Sequence, residues 1–315
     1  MSQNLVENLA FFFPGQGSQS KGMLADFLAQ ESIVQDAFSE ASDVLSYDMA
    51  ALVLGDAEDK LNQTEYTQPA LLTASTALFR LWQSRSGAMP AQMAGHSLGE
   101  YSALVAADVL RFNDAVALVA FRGKSMMQAV PAGVGKMAAI IGLDDDKVVE
   151  LCAASSNAES KVWAANFNCP GQLVVAGNGA AVEALMITAK EAGAKRALPL
   201  AVSAPSHTPL MQAAADAMQE KLANTTLTTP VCPVWSNARA VALNDVEDIR
   251  TALVEQLVSP VRWTETVQKM SAEGITSAVE MGPGKVLSGL VRRIDKELTV
   301  ASVFTPDLMD KAVQA

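Results

Sequence analysis

The segment Gly95-His96-Ser97-Leu98-Gly99 has the pattern G-x-S-x-G, which suits a serine that acts as a nucleophile. Glycines beside the serine allow a tight turn from a strand into a helix, and such a turn exposes the hydroxyl. The N–H of the next residue, at the helix start, then points toward a developing oxyanion. An apolar lead-in at 91–94 and a helix-forming run from Glu100 fit this context. An ordinary strand-to-helix connection with a capping serine has the same pattern, so other residues must decide.

A nucleophilic serine needs a base, and the chain has two histidines, His96 and His207. On a tight turn the ring of His96 would point away from the Ser97 hydroxyl, so we expect it to line the site. His207 lies between Pro205 and Pro209 after a predicted strand and is the expected base, although a lone histidine is often structural. Between Ser97 and His207 no acidic residue ends a strand, and the oxyanion motif of lipases is absent, which argues against an ordinary esterase. A backbone carbonyl is therefore the candidate to orient His207.

Two further segments could contribute to such a site. The loop at 14–19 follows an apolar run, and its Gln16 stands between two glycines, so its amide and nearby N–H groups could face a ligand; a plain β-turn is the alternative. Arg122 lies in an apolar helix and precedes Gly123. A guanidinium binds a carboxylate through two parallel hydrogen bonds, so Arg122 would select a dicarboxylic acyl group, unless it is an ordinary solvated arginine.

The elements that must position these residues predict an α/β fold. The run Leu9–Phe13 is apolar on both faces, which is typical of a central parallel strand. A helix is predicted at 70–82, a strand at 230–235, another at 275–281 and a last helix at 286–294. Between them, the order β-α-β-β-α-β is typical of a ferredoxin-like subdomain, with predicted elements at 136–143, 147–154, 161–166, 173–177, 180–192 and 195–202. We therefore predict a core formed by residues 1–131 and 203–315 and an inserted subdomain at 132–202.

Composition excludes several classes of protein. The chain has 315 residues, a net charge of −11 and 50% hydrophobic residues, which indicates a compact protein and argues against nucleic-acid binding. Three cysteines without a CxxC pair favour a reducing compartment. No basic leader and no apolar run of about 18 residues is present, so we expect a cytoplasmic protein without a membrane span. The acids at 144–146 suit a helix start, and Gly282–Lys285 lacks phosphate-loop spacing, so neither a metal nor a bound cofactor is expected.

Six motifs in this order resemble the malonyl-CoA:acyl-carrier-protein transacylase family of bacterial type II fatty-acid synthesis. They cover nearly the whole chain and together are far more specific than the serine pattern alone: 13–19, 95–101, 121–123, 166–172, 203–207 and 280–284. The resemblance implies an α/β-hydrolase-like core with a ferredoxin-like subdomain. It also implies ping-pong transfer of malonyl from malonyl-CoA, the coenzyme A thioester, to a serine and then to the phosphopantetheine thiol of acyl carrier protein.

The resemblance also assigns expected roles to individual positions. Ser97 is the nucleophile and His207 the base, and the N–H groups of Gln16 and Leu98 form the oxyanion hole. Arg122 binds the malonyl carboxylate. The backbone carbonyl of Gln256 orients the histidine, and Asn166 is a polar residue near the site. Two positions depart from the family pattern: Phe121 replaces a common Met, which could change the pocket volume, and Cys169 replaces a common Ser, with no evident chemical role.

Because acyl carrier protein is acidic, docking on this acidic chain needs a local basic patch. The expected patch comprises Lys285, Arg292, Arg293 and Lys296, with Lys195 and Arg196 as the second candidate; a solvated helix face is the alternative. Two other functions remain open. A related acyltransferase could serve a polyketide or polyunsaturated-lipid synthase, and a serine thioesterase or esterase could hydrolyse the same acyl-enzyme. A binding module without activity is less consistent with a nucleophile, a base and a carboxylate-binding arginine in one chain.

Overall fold

The structure is a computed structural model that describes residues 4–55, 59–86, 88–131, 133–202 and 204–314. The predicted domain boundaries fall at residues 132 and 203, which lie outside the described residues. In chain order, the helices and strands are β1 (Asn4–Phe13), α1 (Ala25–Gln30), α2 (Ser32–Leu45), α3 (Met49–Gly55), α4 (Thr64–Arg85), β2 (Ala88–Gly95), α5 (Gly99–Ala106), α6 (Phe112–Ala129), β3 (Gly135–Ile141), α7 (Asp145–Ala154), β4 (Val162–Cys169), β5 (Gln172–Asn178), α8 (Gly179–Glu191), β6 (Arg196–Pro199), α9 (Gln212–Ala223), β7 (Val234–Trp235), β8 (Ala242–Leu243), α10 (Val246–Val258), α11 (Trp263–Ala272), β9 (Ser277–Glu280), α12 (Val286–Ile294), β10 (Thr299–Ser302) and α13 (Pro306–Gln314).

The larger sheet has the strand order β10-β9-β1-β2-β7-β8. Neighbouring strands from β10 to β7 are parallel, and β8 pairs antiparallel with β7. The protein thus has a mixed α/β fold with a parallel sheet, which confirms the coarse fold prediction. Among the described residues, no helix is both long enough and apolar enough to cross a membrane.

Strand β1 lies at the centre of this sheet, between β2 and β9, as its apolar sequence predicts. Its aromatic side chains hold a helical layer on each face. Phe11 packs edge-on against Phe79 and Trp82 of α4, with ring centroids 6.2 and 5.5 Å away, and Phe12 packs against Trp263 of α11 at 5.3 Å. Burial of one such side chain stabilises the fold by about 1.5–3 kcal/mol, so the carboxyl end of β1 is firmly placed.

The smaller sheet has the order β4-β5-β3-β6, and all its neighbouring strands are antiparallel. Helices α7 and α8 cover one face, where Ile140, Val175 and Leu185 are completely buried. The sheet is also hydrogen-bonded to the rest of the protein. The N–H of Phe167 in β4 donates to the carbonyl of Val261 at 2.9 Å, which ties the sheet to the segment before α11.

Several predicted boundaries are wrong. Helix α4 begins at Thr64, not at residue 70, so Pro69 lies inside it; burial of most of this helix outweighs the lost hydrogen bond. Strand β7 contains only Val234 and Trp235, because prolines 230 and 233 have no N–H for a sheet ladder. Strand β6 ends at Pro199 rather than at residue 202. The helix at 286–294 is not the last one, since β10 and α13 follow it.

Candidate active site

Ser97 lies on the sharp turn between β2 and α5, with a left-handed φ of +51°. This conformation is unusual for a residue with a side chain and is typical of a strained, functional turn. A side chain at Gly95 would overlap the backbone of Gly99, and one at Gly99 would overlap the carbonyl of Phe13. Both glycines of the G-x-S-x-G pattern are therefore required by close backbone packing, and the predicted turn is present.

His207 lies beside the serine. Its Nε2 is 2.8 Å from the Ser97 hydroxyl oxygen, and its Nδ1 is 2.8 Å from the carbonyl oxygen of Gln256. Because a carbonyl only accepts, Nδ1 must carry the proton, which leaves Nε2 of the neutral ring to accept the proton of Ser97. Burial, together with the positive charge of Arg122, lowers the pKa of His207 to about 3. The histidine, which is 3% exposed, is therefore neutral at physiological pH.

The loop after β1 packs against the serine turn. A side chain at Gly15 would overlap the carbonyl of His96, so the loop and the turn touch through their backbones. Among the residues that the structure describes, the N–H groups of Gln16 and Leu98 donate to no protein acceptor. Gln16 follows Gly15, which lies at this contact, and Leu98 follows Ser97 on the serine turn. Such a pair can bind an oxyanion.

Arg122 projects from α6 into the same region and is 1% exposed, so it is not a solvated helix residue. Its Nη1 donates to Oε1 of Gln68 at 2.9 Å, and its Nη2 donates to Oε1 of Gln256 at 2.8 Å and to the Ser97 hydroxyl oxygen at 3.4 Å. The guanidinium also lies 5.4 Å from the ring centroid of Tyr101. Within the described part of the chain, no carboxylate lies within 4.0 Å of it. A buried cation with neutral partners can bind an anionic group of a ligand.

His96 contacts a different set of residues. Its Nε2 lies 2.8 Å from Oδ1 of Asn168, and its ring centroid lies 5.8 Å from that of Trp263. Burial lowers the pKa of His96, so this ring is also neutral. Asn166 is buried on the same strand, β4, but no hydrogen bond of its side chain to these residues occurs in the described part of the chain. On β4, the side chain that is hydrogen-bonded to His96 is therefore Asn168.

A model of the acyl transferase domain family matches residues 10–311. The malonyl CoA-acyl carrier protein transacylase of Escherichia coli strain K12 is 52% identical over 309 residues, which are 98% of this chain and 100% of that protein. The chain belongs to the malonyl CoA-acyl carrier protein transacylase family.

Two solved structures extend the comparison of this transacylase family member. The acyl carrier protein S-malonyltransferase of Vibrio cholerae O1 biovar eltor is 52% identical, with a TM-score of 0.94 over 97% of this chain and 100% of that one. A chain from the complex of a type II PKS acyl-carrier protein with its malonyl-transacylase is 48% identical, with a TM-score of 0.95 over 98% and 99% of the two chains.

Two side chains at the centre of this candidate site, Asn237 and Glu100, were not predicted from the sequence. Asn237 accepts a hydrogen bond from the N–H of Ser97 at 2.6 Å and donates to the carbonyl of Gly95 at 2.6 Å. Glu100 accepts from the Asn237 N–H at 3.0 Å and from Nε2 of Gln256 at 2.8 Å. The position of Glu100 next to the serine motif could have indicated that it belongs to the site. The position of Asn237 after a short strand gave no such indication.

In the predicted basic patch, one of the four side chains is hydrogen-bonded to another part of the protein. On or beside α12, the exposed basic residues of the patch are Lys285, Arg292 and Lys296. The second candidates, Lys195 and Arg196, are exposed at the start of β6. Arg293 instead donates to Oε1 of Gln172 at 2.6 Å and to the carbonyl of Pro170 at 3.2 Å. It therefore joins α12 to the turn between β4 and β5.

Among the described residues, no group of three or more His, Cys, Asp or Glu side chains could hold a metal ion. Cys169 is buried, and desolvation raises the pKa of its thiol, which keeps the thiol protonated.

Proposed function

We propose that this acyltransferase moves a malonyl group from malonyl-CoA to the phosphopantetheine thiol of acyl carrier protein, through an ester on Ser97. One observation carries the proposal. The Ser97 oxygen lies 2.8 Å from Nε2 of the neutral His207 and 3.4 Å from Nη2 of the buried Arg122. A nucleophile with a base on one side and a carboxylate-binding cation on the other fits a dicarboxylic acyl group. The names of the related proteins agree with this substrate and acceptor.

In the first half-reaction, Ser97 gives its proton to His207 while its oxygen attacks the thioester carbonyl of malonyl-CoA. Negative charge develops on the carbonyl oxygen, and the proposed ligands for it are the N–H groups of Gln16 and Leu98. As the carbon–sulfur bond breaks, His207 returns the proton to the coenzyme A thiolate. The Gln256 carbonyl keeps Nδ1 protonated and the ring oriented throughout.

The second half-reaction reverses these steps with a different thiol. The phosphopantetheine thiol gives its proton to His207, and its sulfur attacks the ester carbonyl. The Ser97 oxygen then leaves and recovers the proton. The malonyl carboxylate, paired with Arg122, would offset part of the positive charge that lowers the pKa of His207, so a carboxylated acyl group also favours the base.

We also propose how the remaining parts serve this reaction. Lys285, Arg292 and Lys296 form the docking patch for the acidic carrier, with Lys195 and Arg196 as the second choice. His96 and Asn166 line the acyl site. Residues 1–131 and 203–315 form an α/β-hydrolase-like core, and the nucleophile turn between a parallel strand and a helix supports this. Residues 132–202 form a ferredoxin-like subdomain, which the order β4-β5-β3-β6 supports.

The test is the intact mass of the protein after exposure to malonyl-CoA. The wild type should gain one malonyl group, and the group should disappear when holo acyl carrier protein is added but persist in buffer, since hydrolysis would indicate a thioesterase. Ser97→Ala should gain nothing, because no nucleophile remains. Ser102→Ala is the matched control, since the buried Ser102 hydroxyl on α5 has no hydrogen-bond partner among the residues that the structure describes. Stoichiometric loading of Ser97→Ala would refute the proposed mechanism.

A second acceptor is worth including in that assay, because one structural relative was solved with a type II PKS acyl-carrier protein. The malonyl-loaded enzyme should be offered a fatty-acid carrier and a polyketide carrier in parallel. Faster transfer to the polyketide carrier would assign the chain to that pathway instead.

A further inference from the structure

Glu100 is a buried carboxylate for which the proposed reaction has no step. It lies on the first turn of α5, three residues after Ser97, and is 3% exposed. A carboxylate in such a place costs free energy unless its hydrogen bonds compensate for the lost water. The hydrogen bonds of Glu100 therefore indicate what its carboxylate does in the site.

A single oxygen of Glu100, Oε2, accepts two hydrogen bonds. One comes from the backbone N–H of Asn237 at 3.0 Å and the other from Nε2 of Gln256 at 2.8 Å. These two donors come from separate parts of the chain, the segment after β7 and helix α10. Glu100 thus joins both of them to the start of α5.

Each partner of Glu100 holds a different part of the site. The Asn237 side chain bonds the Ser97 N–H and the Gly95 carbonyl, both at 2.6 Å, so it clamps the two ends of the strained serine turn. The Gln256 side chain accepts from Arg122 through Oε1, and its backbone carbonyl accepts from His207. With its NH2 group turned to Glu100 and to the Ser97 carbonyl, at 3.0 Å, Gln256 must present Oε1 to Arg122.

We propose that Glu100 is a positioning residue, which holds the serine turn, the base and the carboxylate-binding guanidinium in one geometry through Asn237 and Gln256. The proposal rests on the proposed function, since it concerns the same site. It follows that loss of the Glu100 acceptor slows loading of every acyl group, whereas loss of Arg122 affects carboxylated groups selectively.

The charge of Glu100 gives this role a signature in the pH profile. Burial raises the pKa of Glu100 to about 7, whereas the pKa of His207 lies far below neutrality. The titratable groups that face Glu100 in the described residues are Arg122 on α6 and Tyr101 on α5 itself; α10 and the segment after β7 contribute the neutral amides. Near neutral pH the ionisation of Glu100 therefore changes the charge beside Arg122 while the base stays neutral.

The experiment measures the rate of acyl loading from malonyl-CoA and acetyl-CoA, by rapid quench and intact mass, between pH 5.5 and 8.5. For Glu100→Ala we expect kcat to fall about 10- to 100-fold with both substrates, because two buried donors lose their acceptor, while KM changes less. Glu100→Gln retains an acceptor oxygen without the charge. It should recover most of the rate and lose the inflection near pH 7.

Glu280→Gln is the matched control. Glu280 is a completely buried carboxylate that accepts from the N–H groups of Leu287 and Ser288 at the start of α12. Its side chain makes no hydrogen bond to Ser97, Arg122, His207, Asn237 or Gln256 in the described part of the chain. This variant should keep both the rate and the inflection. If Glu100→Ala does not fold, Glu100→Gln decides alone: loading without the inflection supports the proposal, and a retained inflection overturns it.

Two results would overturn the role of Glu100. One is a Glu100→Ala variant that loads both substrates at the wild-type rate, and the other is a Glu100→Gln variant as slow as Glu100→Ala. Failure of the wild type to load malonyl would instead refute the proposed function itself, so the two failures are distinguishable.

Discussion

Replacement of Arg122 by alanine should convert a malonyl-selective site into one with little preference. The guanidinium is 1% exposed, and its direct partners among the described residues are the neutral side chains of Gln68, Gln256 and Ser97. A malonyl carboxylate would be its first anionic partner within hydrogen-bond distance. Loss of one member of such a buried charged pair costs about 3–4 kcal/mol, which corresponds to a hundred- to thousandfold change in rate.

The assay compares kcat/KM for malonyl-CoA and acetyl-CoA, since acetyl has no carboxylate to lose. The ratio of the two values should fall about a hundred- to thousandfold in Arg122→Ala, because only the malonyl transition state loses the charged pair. Arg239→Ala is the matched control, as Arg239 bonds Glu255 at 2.7 and 2.9 Å beside Gln256 but outside the site. An unchanged ratio in Arg122→Ala would refute the assignment of the carboxylate to Arg122.

Two further outcomes are expected. Arg292 and Lys296 are exposed and make no ion pair in the described residues. Reversal of both charges should raise the KM for acyl carrier protein about tenfold and leave the loading of malonyl-CoA unchanged. An unaltered KM in steady-state kinetics would show that the carrier docks elsewhere. Because burial raises the pKa of Glu100 from 4.5 to about 7, its contribution to stability is present below pH 4.5 and is lost as the pH rises through 7. The free energy of unfolding of Glu100→Gln should therefore rise relative to that of the wild type by up to about 3 kcal/mol between pH 5 and 8, as measured by thermal and denaturant unfolding. If the difference in unfolding free energy between the two proteins does not vary with pH, the buried charge of Glu100 is contradicted.

The sequence could predict the parts of the site that depend on a short local motif or on a residue type that is rare in the chain. The serine turn is specified within five residues, because Gly95 and Gly99 are both needed where backbones touch. His207 could be selected because the chain has only one other histidine. The apolar strand β1 could be placed at the sheet centre for the same local reason, that both of its faces are hydrophobic.

The remaining parts depend on contacts between distant segments. Asn237 meets Ser97 across 140 residues, and Gln256 meets Glu100 across 156, so no local pattern announces either pair. The burial of Arg122 is also a tertiary property, since an arginine on an apolar helix can equally face solvent. The start of α4 was misplaced for a related reason, because the cost of Pro69 is local while the packing that outweighs it is not.

The central position of β1 has a consequence for the synthesis of the chain. Residues 9–12 pair in parallel with residues 277–280 of β9, so one edge of the strand has no partner until about 260 further residues have been added. At a translation rate of about 5–20 residues per second, the wait is roughly ten to fifty seconds. During that time a continuous apolar edge is open to pairing with another nascent chain. The strand that positions the loop at 14–19 in the finished protein is therefore a segment that needs protection while the protein is being made.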